Sequence, residues 1–451
     1  MKAIILHIVL GYLLCLTWGC STIDHQYLNK SKEVENWLIE QKTKNVEDEI
    51  WVDEVGNEKV GLSLSSGVSG KVLFYLELYL ATDDEKYLDK ALKGCNYIAS
   101  NLPQTIEQAK STRNGASLYG EISGSAFVLM ETYKLTKDER WKNSVTHCLS
   151  LIDSLSINSD GRYWNNFNDI LIGSSGTGLL LLYLHRELDD SRSLQIAIEA
   201  AEMLEQRAVK RQDSLYWFIN QDTDMNLPNF SHGAAGVGYF FASLYEETKD
   251  PHYLDISRQV ANYLELIAWK PDNSFLLPYG FPDYSWEREY DVGWAHGPAG
   301  TARFFYKLWQ VTNEEKWLDI VRQCANGIKI SGLPNAPNDH FGSSSFPVDM
   351  RFGLGSVIDF YIDLTRKDML EKNDGYLNEL ITALDEQATI ENPMKRYWQI
   401  ERYGFMGGNK GEPVKLTGYF YGSAGLGLLY IKIHNMINGR DLGIRLPDSP
   451  F

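Results

Sequence analysis

The sequence is poor in cysteine, with five thiols among 451 residues. Beyond the first twenty residues only Cys95, Cys148 and Cys324 remain, an odd number spread widely along the chain. This count and spacing indicate no disulfide framework. Because free cysteine is among the residue types most often buried, each of the three is predicted to be a small apolar core residue.

Basic residues are also scarce, since 43 Lys and Arg face 60 Asp and Glu, for a formal net charge of -17. No basic stripe reverses this charge locally, so nucleic acid is not expected as a partner, because its phosphates would be repelled. The HExxH zinc motif, the serine nucleophile elbow and the P-loop are missing as well. A neutral or cationic ligand suits the charge better, although acidity also serves solubility alone.

The first 18 residues are apolar behind a single charge, Lys2, and they end in LTWGC, where Gly19 precedes Cys20. This pattern resembles a bacterial lipoprotein signal, because the segment is short for a membrane span and a thiol stands where such signals are cut and acylated. We therefore predict a signal peptide over residues 1–19, followed by one domain over residues 20–451. The protein is expected to be exported and anchored in the membrane through lipidated Cys20, in the periplasm or at the cell surface. An uncleaved anchor is the alternative.

A turn of small residues followed by an apolar helix recurs along the chain. Seven copies occur, and their last aligned glycines are Gly70, Gly124, Gly176, Gly236, Gly300, Gly355 and Gly425. Each interval has room for two helices, an inner one that is apolar on nearly all sides and an outer one with a charged face. The repeats predict an all-α fold, an (α/α) toroid of about seven helical hairpins that starts near residue 61 and surrounds a central funnel.

Within this pattern, the turns FSHGAAG and GWAHGPAG resemble those of the lanthionine synthetase C family. The resemblance runs from about Gly61 to the end, and it implies a chemistry in which zinc holds a peptide cysteine as thiolate for addition to a dehydrated residue. The family binds zinc through a Cys in the fifth repeat and a Cys-His pair in the sixth. Ala295, Met350 and Arg351 stand at those positions here. Because none of them replaces a thiolate or an imidazole, neither zinc nor another cofactor is predicted.

Two family positions persist, Asp169 in the third repeat and His232 in the fourth, and the resemblance implies that they act in proton transfer. His296 stands four residues before the fifth glycine, as His232 does before the fourth. We predict that these three side chains are catalytic, with the carboxylate orienting an imidazole. The alternatives are that Asp169 and His232 only cap turns, and that His232, His296 and Asp349 form a rearranged metal site.

Arg351 and Tyr421 stand at the same position of repeats six and seven, four residues before the glycine. Together with Trp294 and Asp291 they are predicted to bind substrate, and the fixed cation of Arg351 suits an anionic or polar group. The glycine-rich residues 403–413 are predicted to form a flap over the funnel.

Three functions fit these observations, and for each of them a monomer is expected. The favoured one is a protein that modifies or binds a peptide in the funnel without zinc. The second is a carbohydrate-active enzyme, because carboxylates flanked by aromatic rings suit saccharides. Before the fifth repeat the carboxylates Asp283, Glu287, Glu289 and Asp291 are interleaved with Tyr284, Trp286, Tyr290 and Trp294. The third is a binding module without catalysis.

Overall fold

The computed structural model describes residues 24–43, 50–112, 114–159, 161–281, 290–335, 346–370 and 375–451. The predicted signal peptide and Cys20 lie outside these residues. The helices are α1 (Gln26–Leu38), α2 (Val68–Thr82), α3 (Glu85–Asn101), α4 (Ile106–Lys110), α5 (Glu121–Thr136), α6 (Glu139–Leu155), α7 (Ser174–Leu188), α8 (Ser191–Gln206), α9 (Ala234–Thr248), α10 (Pro251–Ile267), α11 (Pro298–Thr312), α12 (Glu315–Ile330), α13 (Leu354–Arg366), α14 (Tyr376–Glu386) and α15 (Ser423–Ile437). Within the described ranges, none of these helices is long and apolar enough to cross a membrane.

Within the described residues, strands are few and short. They pair as four antiparallel hairpins, β1 (Ile157–Asn158) with β2 (Arg162–Tyr163), β3 (Val209–Arg211) with β4 (Ser214–Tyr216), β5 (Thr389–Asn392) with β6 (Lys395–Tyr397), and β7 (Ile400–Glu401) with β8 (Pro413–Val414). Each of the first three follows an outer helix and leads the chain back toward the next inner one. The all-α toroid predicted from the repeats is therefore confirmed.

Seven inner helices, α2, α5, α7, α9, α11, α13 and α15, form the wall of the ring, and each packs against an outer helix. For the first six, the outer helix is the next long helix along the chain. The partner of α15 is instead α1, from the other end of the chain. The N-terminal helix thus completes the seventh hairpin and closes the ring, a contribution that the repeat pattern did not predict.

Hydrogen bonds between the turns that open neighbouring inner helices follow the ring. Backbone N–H groups donate from Leu171 to Ser231, Ser231 to Ala295, Ala295 to Arg351, Met350 to Phe420, Phe420 to Ser65 and Ser65 to Tyr119, at 2.8–3.3 Å. Between the second and third repeats the hydroxyl of Thr177 donates to the carbonyl of Ala116 at 2.8 Å. These bonds fix the seven turns in one ring, so side chains distant in sequence become neighbours.

The first turns of the inner helices share one construction. Each helix follows a glycine N-cap with no side-chain cap, namely Gly67, Gly120, Gly173, Gly233, Gly297, Gly353 and Gly422. A Cβ on Gly233 would lie 1.7 Å from the carbonyl oxygen of Leu227, so the turn folds against bare backbone there. Four outer helices begin differently, because their N-cap aspartates accept backbone N–H bonds, namely Asp84, Asp138, Asp190 and Asp250.

The C-terminal tail, residues 439–451, enters the ring from the face where the inner helices end. Asp448 is fully buried, and the ring of Phe451 packs 4.4 Å from that of Tyr306. Nearby, the N–H of Ile444 donates to Glu77 of α2 at 2.5 Å. A cavity of about 690 Å³ lies between the tail and the ends of the inner helices.

Burial raises the pKa of Glu77 from its ordinary 4.5 to about 8. The folded protein therefore keeps this proton up to about pH 8, whereas the unfolded chain loses it near 4.5, so stability falls as pH rises between these values. In Glu77→Gln, the loss of unfolding free energy between pH 5 and 8 should be about 3 kcal/mol smaller than in the wild type. Urea unfolding at both pH values measures this. Glu386→Gln, at an exposed position, is the control, and a loss as steep in Glu77→Gln as in the wild type would contradict the prediction.

Candidate functional site

A cavity of about 660 Å³ opens where the first turns of the inner helices meet. The turns before α2, α5, α7, α13 and α15 form its wall, and the β7–β8 hairpin covers it. The first N–H groups of these helices donate to carbonyls of the preceding turns, such as Leu354 to Pro347 at 2.8 Å and Ser423 to Leu416 at 3.0 Å. The cavity therefore faces the positive dipole ends of the helices, with these N–H groups already bonded. Its charged lining residues are Asp53, Glu54, Lys59, Glu121, Arg351 and Arg402.

Asp169 and His232 lie side by side at this end of the ring. One carboxylate oxygen of Asp169, Oδ1, accepts the N–H groups of Ile172 and Gly173 at 2.7 and 3.1 Å. The other, Oδ2, lies 2.9 Å from Nδ1 of His232. Asp169 therefore both caps the turn before α7 and holds the imidazole, whereas His232, within the described part of the chain, is bonded to side chains and not to turn backbone.

The opposite nitrogen of His232 contacts an arginine. Nη2 of Arg351 lies 3.0 Å from Nε2 of His232, and Nη1 donates to the hydroxyl of Tyr421. Because a guanidinium only donates, Nε2 accepts this bond, and the ring proton belongs on Nδ1, where it is donated to Asp169. These contacts fit the tautomer whose lone pair is on Nε2.

Arg351 separates His232 from the cavity. Its side chain lines the cavity wall, as does Tyr421, whereas His232 lies behind it with 13% of its side chain exposed. Burial raises the pKa of Tyr421 to about 12, so its hydroxyl keeps its proton at neutral pH. The geometry therefore places the basic nitrogen of His232 next to the cavity but covered by the guanidinium.

His296 stacks on His232, with ring centroids 5.7 Å apart and planes 24° from parallel. It is 2% exposed and lies between aromatic rings, since Tyr279 and Phe352 are at 4.3 and 5.9 Å. Burial raises the pKa of Tyr279 to about 12, with a further contribution from Asp291. His296 thus supports one face of the His232 ring.

Asp291 and Trp294 are not among the residues that line the cavity. Oδ1 of Asp291 accepts the N–H groups of the next two residues at 2.6 and 3.2 Å. The indole of Trp294 donates to Asp448 of the tail at 3.2 Å and packs on Phe420. The remaining acidic residues predicted to suit a saccharide, within residues 282–289, lie outside the described residues.

The residues at the family's zinc positions do not fit that metal. Ala295 has no donor atom, and the side chain of Met350 packs against the first turns of α13 and α15, where its sulfur would lie 2.7 Å from a Cβ on Gly355. Arg351 is a cation that donates to His232. No zinc–thiolate step can be assigned to these three residues.

The rearranged site of His232, His296 and Asp349 does not fit a metal either. Both ring nitrogens of His232 are engaged by protein groups. Oδ1 of Asp349 accepts the backbone N–H groups of Arg351 and its neighbour at 2.8 and 2.7 Å, and Oδ2 accepts from Tyr403. Across the described residues, no three His, Cys, Asp or Glu side chains are grouped as metal ligands.

The β7–β8 hairpin lies over the cavity, as predicted for residues 403–413, and it is joined to the site by contacts that the sequence did not reveal. The hydroxyl of Tyr403 donates to Asp349, and Phe405 stacks on Tyr403 at 5.4 Å and 9°. Arg402 donates to both carboxylate oxygens of Glu54 at 3.3 and 2.6 Å. The aromatic residues of the segment RYWQIERYGF, residues 396–405, were visible in the sequence. The residues that they contact were not.

Comparison with known proteins assigns the family. The family model described as "Lanthionine synthetase C-like protein" matches residues 58–340. A curated relative, the lacticin 481/lactococcin biosynthesis protein LcnDR2 of Lactococcus lactis subsp. lactis, is 21% identical in an alignment of 447 positions that covers 94% of this chain and 40% of the relative. The chain therefore spans two fifths of that relative's length.

Solved structures share the architecture. Nisin cyclase superimposes with a TM-score of 0.59 at 18% identity, over 84% of this chain and 89% of its own. Cellobiose 2-epimerase from Bacillus thermoamylovorans reaches a TM-score of 0.47 at 13% identity, over 71% of this chain and 90% of its own. The ring of seven hairpins and the match over residues 58–340 lead to one conclusion: this chain belongs to the lanthionine synthetase C-like family.

Proposed function

We propose that this protein binds a peptide in its funnel and modifies it by proton transfer at His232, without zinc–thiolate chemistry. The observation that carries the proposal is the hydrogen-bonded series Asp169–His232–Arg351 beside a cavity of about 660 Å³. A carboxylate that accepts from Nδ1 fixes the tautomer in which Nε2 is basic, as a general base requires. The choice of a peptide rests on the family and on the curated relative, a lacticin 481/lactococcin biosynthesis protein.

The proposed reaction is addition of a peptide thiol to a dehydrated residue. Nε2 of His232 takes the thiol proton, and the sulfur electron pair forms a bond to the β-carbon of the dehydrated residue. The imidazolium, stabilised by Asp169, then returns the proton to the α-carbon. The product is an isomer of the substrate, so the step needs no oxidant, reductant or further reactant.

A synthetic peptide with one cysteine and one dehydroalanine tests the proposal. We expect its free thiol to disappear at unchanged mass, at a rate that 1,10-phenanthroline does not alter, from protein with far less than one zinc per chain. Stoichiometric zinc in the purified protein would contradict the zinc-free mechanism. Peptide binding without turnover would support the non-catalytic binding module instead.

Asp169→Asn tests the role of the carboxylate. The amide oxygen can still accept from Ile172 and Gly173, but the amide N–H then faces Nδ1 of His232, which has to accept. The ring proton moves to Nε2 and opposes the N–H of Arg351, so we expect the bond between His232 and Arg351 to break. Turnover should fall by about 100-fold or more.

Nitrogen-15 NMR of the histidine ring measures the tautomer, and the thiol assay measures turnover. Asp190→Asn is the matched control, because the carboxylate of Asp190 also accepts two backbone N–H groups at a helix start, while the ring of His185 bonds only the backbone carbonyl of Asp190, at 3.0 Å, which the substitution keeps. An Asp169→Asn protein with unchanged ring nitrogen shifts and full turnover would exclude this role for the carboxylate.

We further propose that the protein acts as an exported, membrane-anchored monomer. The support is the sequence of residues 1–20, in which Cys20 follows an apolar segment as in lipoprotein signals. Labelled palmitate should be incorporated into the wild type and not into Cys20→Ser. Equal labelling of the two proteins would contradict the anchor.

A further inference from the structure

Arg351 differs from the other buried arginines of the protein. The described residues contain three arginines that are no more than 9% exposed, Arg162, Arg303 and Arg351. Arg162 pairs with Asp153 and Glu199, and Arg303 pairs with Asp359 and Asp448. Arg351 makes no ion pair with a carboxylate of the described part of the chain, although a buried charge without a counterion is unfavourable.

The guanidinium of Arg351 is instead held by neutral groups. Its central carbon lies 4.7, 5.4 and 5.8 Å from the ring centres of Phe352, Phe405 and Tyr421. Nη1 and Nη2 donate to Tyr421 and His232, whereas the buried Nε has no hydrogen-bond acceptor. Aromatic rings stabilise a cation but leave its donors unsatisfied, so the site lacks one anionic acceptor.

The neighbouring carboxylates do not supply this acceptor. Both oxygens of Asp349 are occupied by backbone N–H groups and Tyr403. Both oxygens of Glu54 accept from Arg402. Lys59 also lines the cavity without an ion pair to the described residues, but it is exposed and lies near Glu121, whereas Arg351 is buried. Arg351 therefore matches a single negative charge, and its planar fork matches the planar carboxylate.

We propose that the funnel recognises its peptide through a carboxylate that binds Arg351, and that this binding draws the guanidinium away from Nε2 of His232. The inference rests on the proposed function and specifies how its base becomes available. A carboxylate bound side-on uses Nε and Nη2, and Nη2 is the nitrogen that donates to His232 in the free protein.

This arrangement makes the base dependent on the ligand. In the free protein the lone pair of Nε2 is occupied by a donor, so His232 cannot take a proton. Once a ligand carboxylate engages Arg351, Nε2 is released beside the cavity, while Asp169 keeps the ring in the same tautomer. Peptides without a carboxylate within reach should therefore bind weakly and leave His232 covered.

The experiment compares three forms of one peptide with two small anions. Acetyl-trialanine with a free C-terminus, the same peptide amidated, and an amidated version with one glutamate are titrated into the full chain, together with acetate and inorganic phosphate. Affinity is measured by calorimetry, and the Nε2 environment of His232 by nitrogen-15 NMR. We expect the free acid or the glutamate peptide to bind at least about tenfold more tightly than the plain amide, and only carboxylates to shift Nε2.

Arg351→Gln should remove this preference, and Arg351→Lys, which keeps the charge but not the fork, should keep part of it. Equal affinity for the acids and the amide in the wild type would overturn the inference while leaving peptide binding intact. Acetate that shifts Nε2 while no peptide binds would support the carboxylate site and contradict the peptide function. A shift with phosphate alone, or with no anion, would overturn the inference, as would an acid preference that persists in Arg351→Gln.

Discussion

Gly300→Ala should lower the free energy of unfolding by about 3 kcal/mol. A Cβ at this position would lie 1.9 Å from the carbonyl oxygen of Trp294 and 2.8 Å from Cβ of Phe230. Both contacts are with groups of the packed ring, one of them backbone, so relief requires the turn or the first turn of α11 to move. Urea unfolding followed by circular dichroism measures the change.

Helix propensity predicts the opposite sign, which makes the test decisive. Alanine is favoured over glycine inside a helix by about 1 kcal/mol, and Gly300 is the third residue of α11. Gly404→Ala is the matched control, because nothing lies within 4 Å of its added Cβ, and its stability should stay within about 0.5 kcal/mol of the wild type. A Gly300→Ala protein as stable as the wild type would show that the turns are not packed as described.

The same contact explains why the sequence reveals the fold so clearly. At Gly176, Gly236 and Gly425, as at Gly300, an added Cβ would lie 1.9–2.1 Å from the carbonyl oxygen six residues earlier. One backbone geometry, repeated around a ring, demands the same small residue each time. The repeat was therefore visible as glycine spacing, and the ring followed from it.

The repeat pattern predicts which site residues lie near each other, but it does not predict the hydrogen bonds between them. Positions four residues before the repeated glycines were predicted to face one axis, and the structure brings His232, Arg351 and Tyr421 into hydrogen-bond contact there. Their catalytic and binding roles remain predictions. Which atom donates to which depends on side-chain rotamers, and these are set by packing that repeat spacing does not encode.

The sequence pattern also did not predict how the ends of the chain contribute to the ring. Helix α1 carries no repeat glycine, and its pairing with α15 joins residues about 400 positions apart, so no local pattern predicts it. Tyr403 and its acceptor Asp349 likewise belong to separate segments. Contacts between segments so far apart in the sequence form only in the folded ring, and no local sequence pattern predicts them.

The largest consequence of such a hidden contact concerns Trp294, which was predicted to bind substrate. Its indole N–H donates to Asp448 at 3.2 Å, and the hydroxyl of Tyr119 donates to the same carboxylate oxygen at 2.9 Å. Burial raises the pKa of Asp448, although Arg303 opposes this shift. Asp448 thus holds the tail inside the ring, beneath the cavity wall to which Tyr119 contributes.

Asp448→Ala should lower the free energy of unfolding by about 3 kcal/mol, because it leaves two buried donors unsatisfied, at about 1–3 kcal/mol each. Asp441→Ala, at an exposed position of the same tail, should change it by less than about 1 kcal/mol. Calorimetric unfolding and peptide titration of both variants separate stability from binding. If Trp294 serves the tail, Trp294→Phe should lose stability, as Asp448→Ala does, and keep its peptide affinity. A Trp294→Phe protein of normal stability that no longer binds peptide would show instead that Trp294 binds substrate.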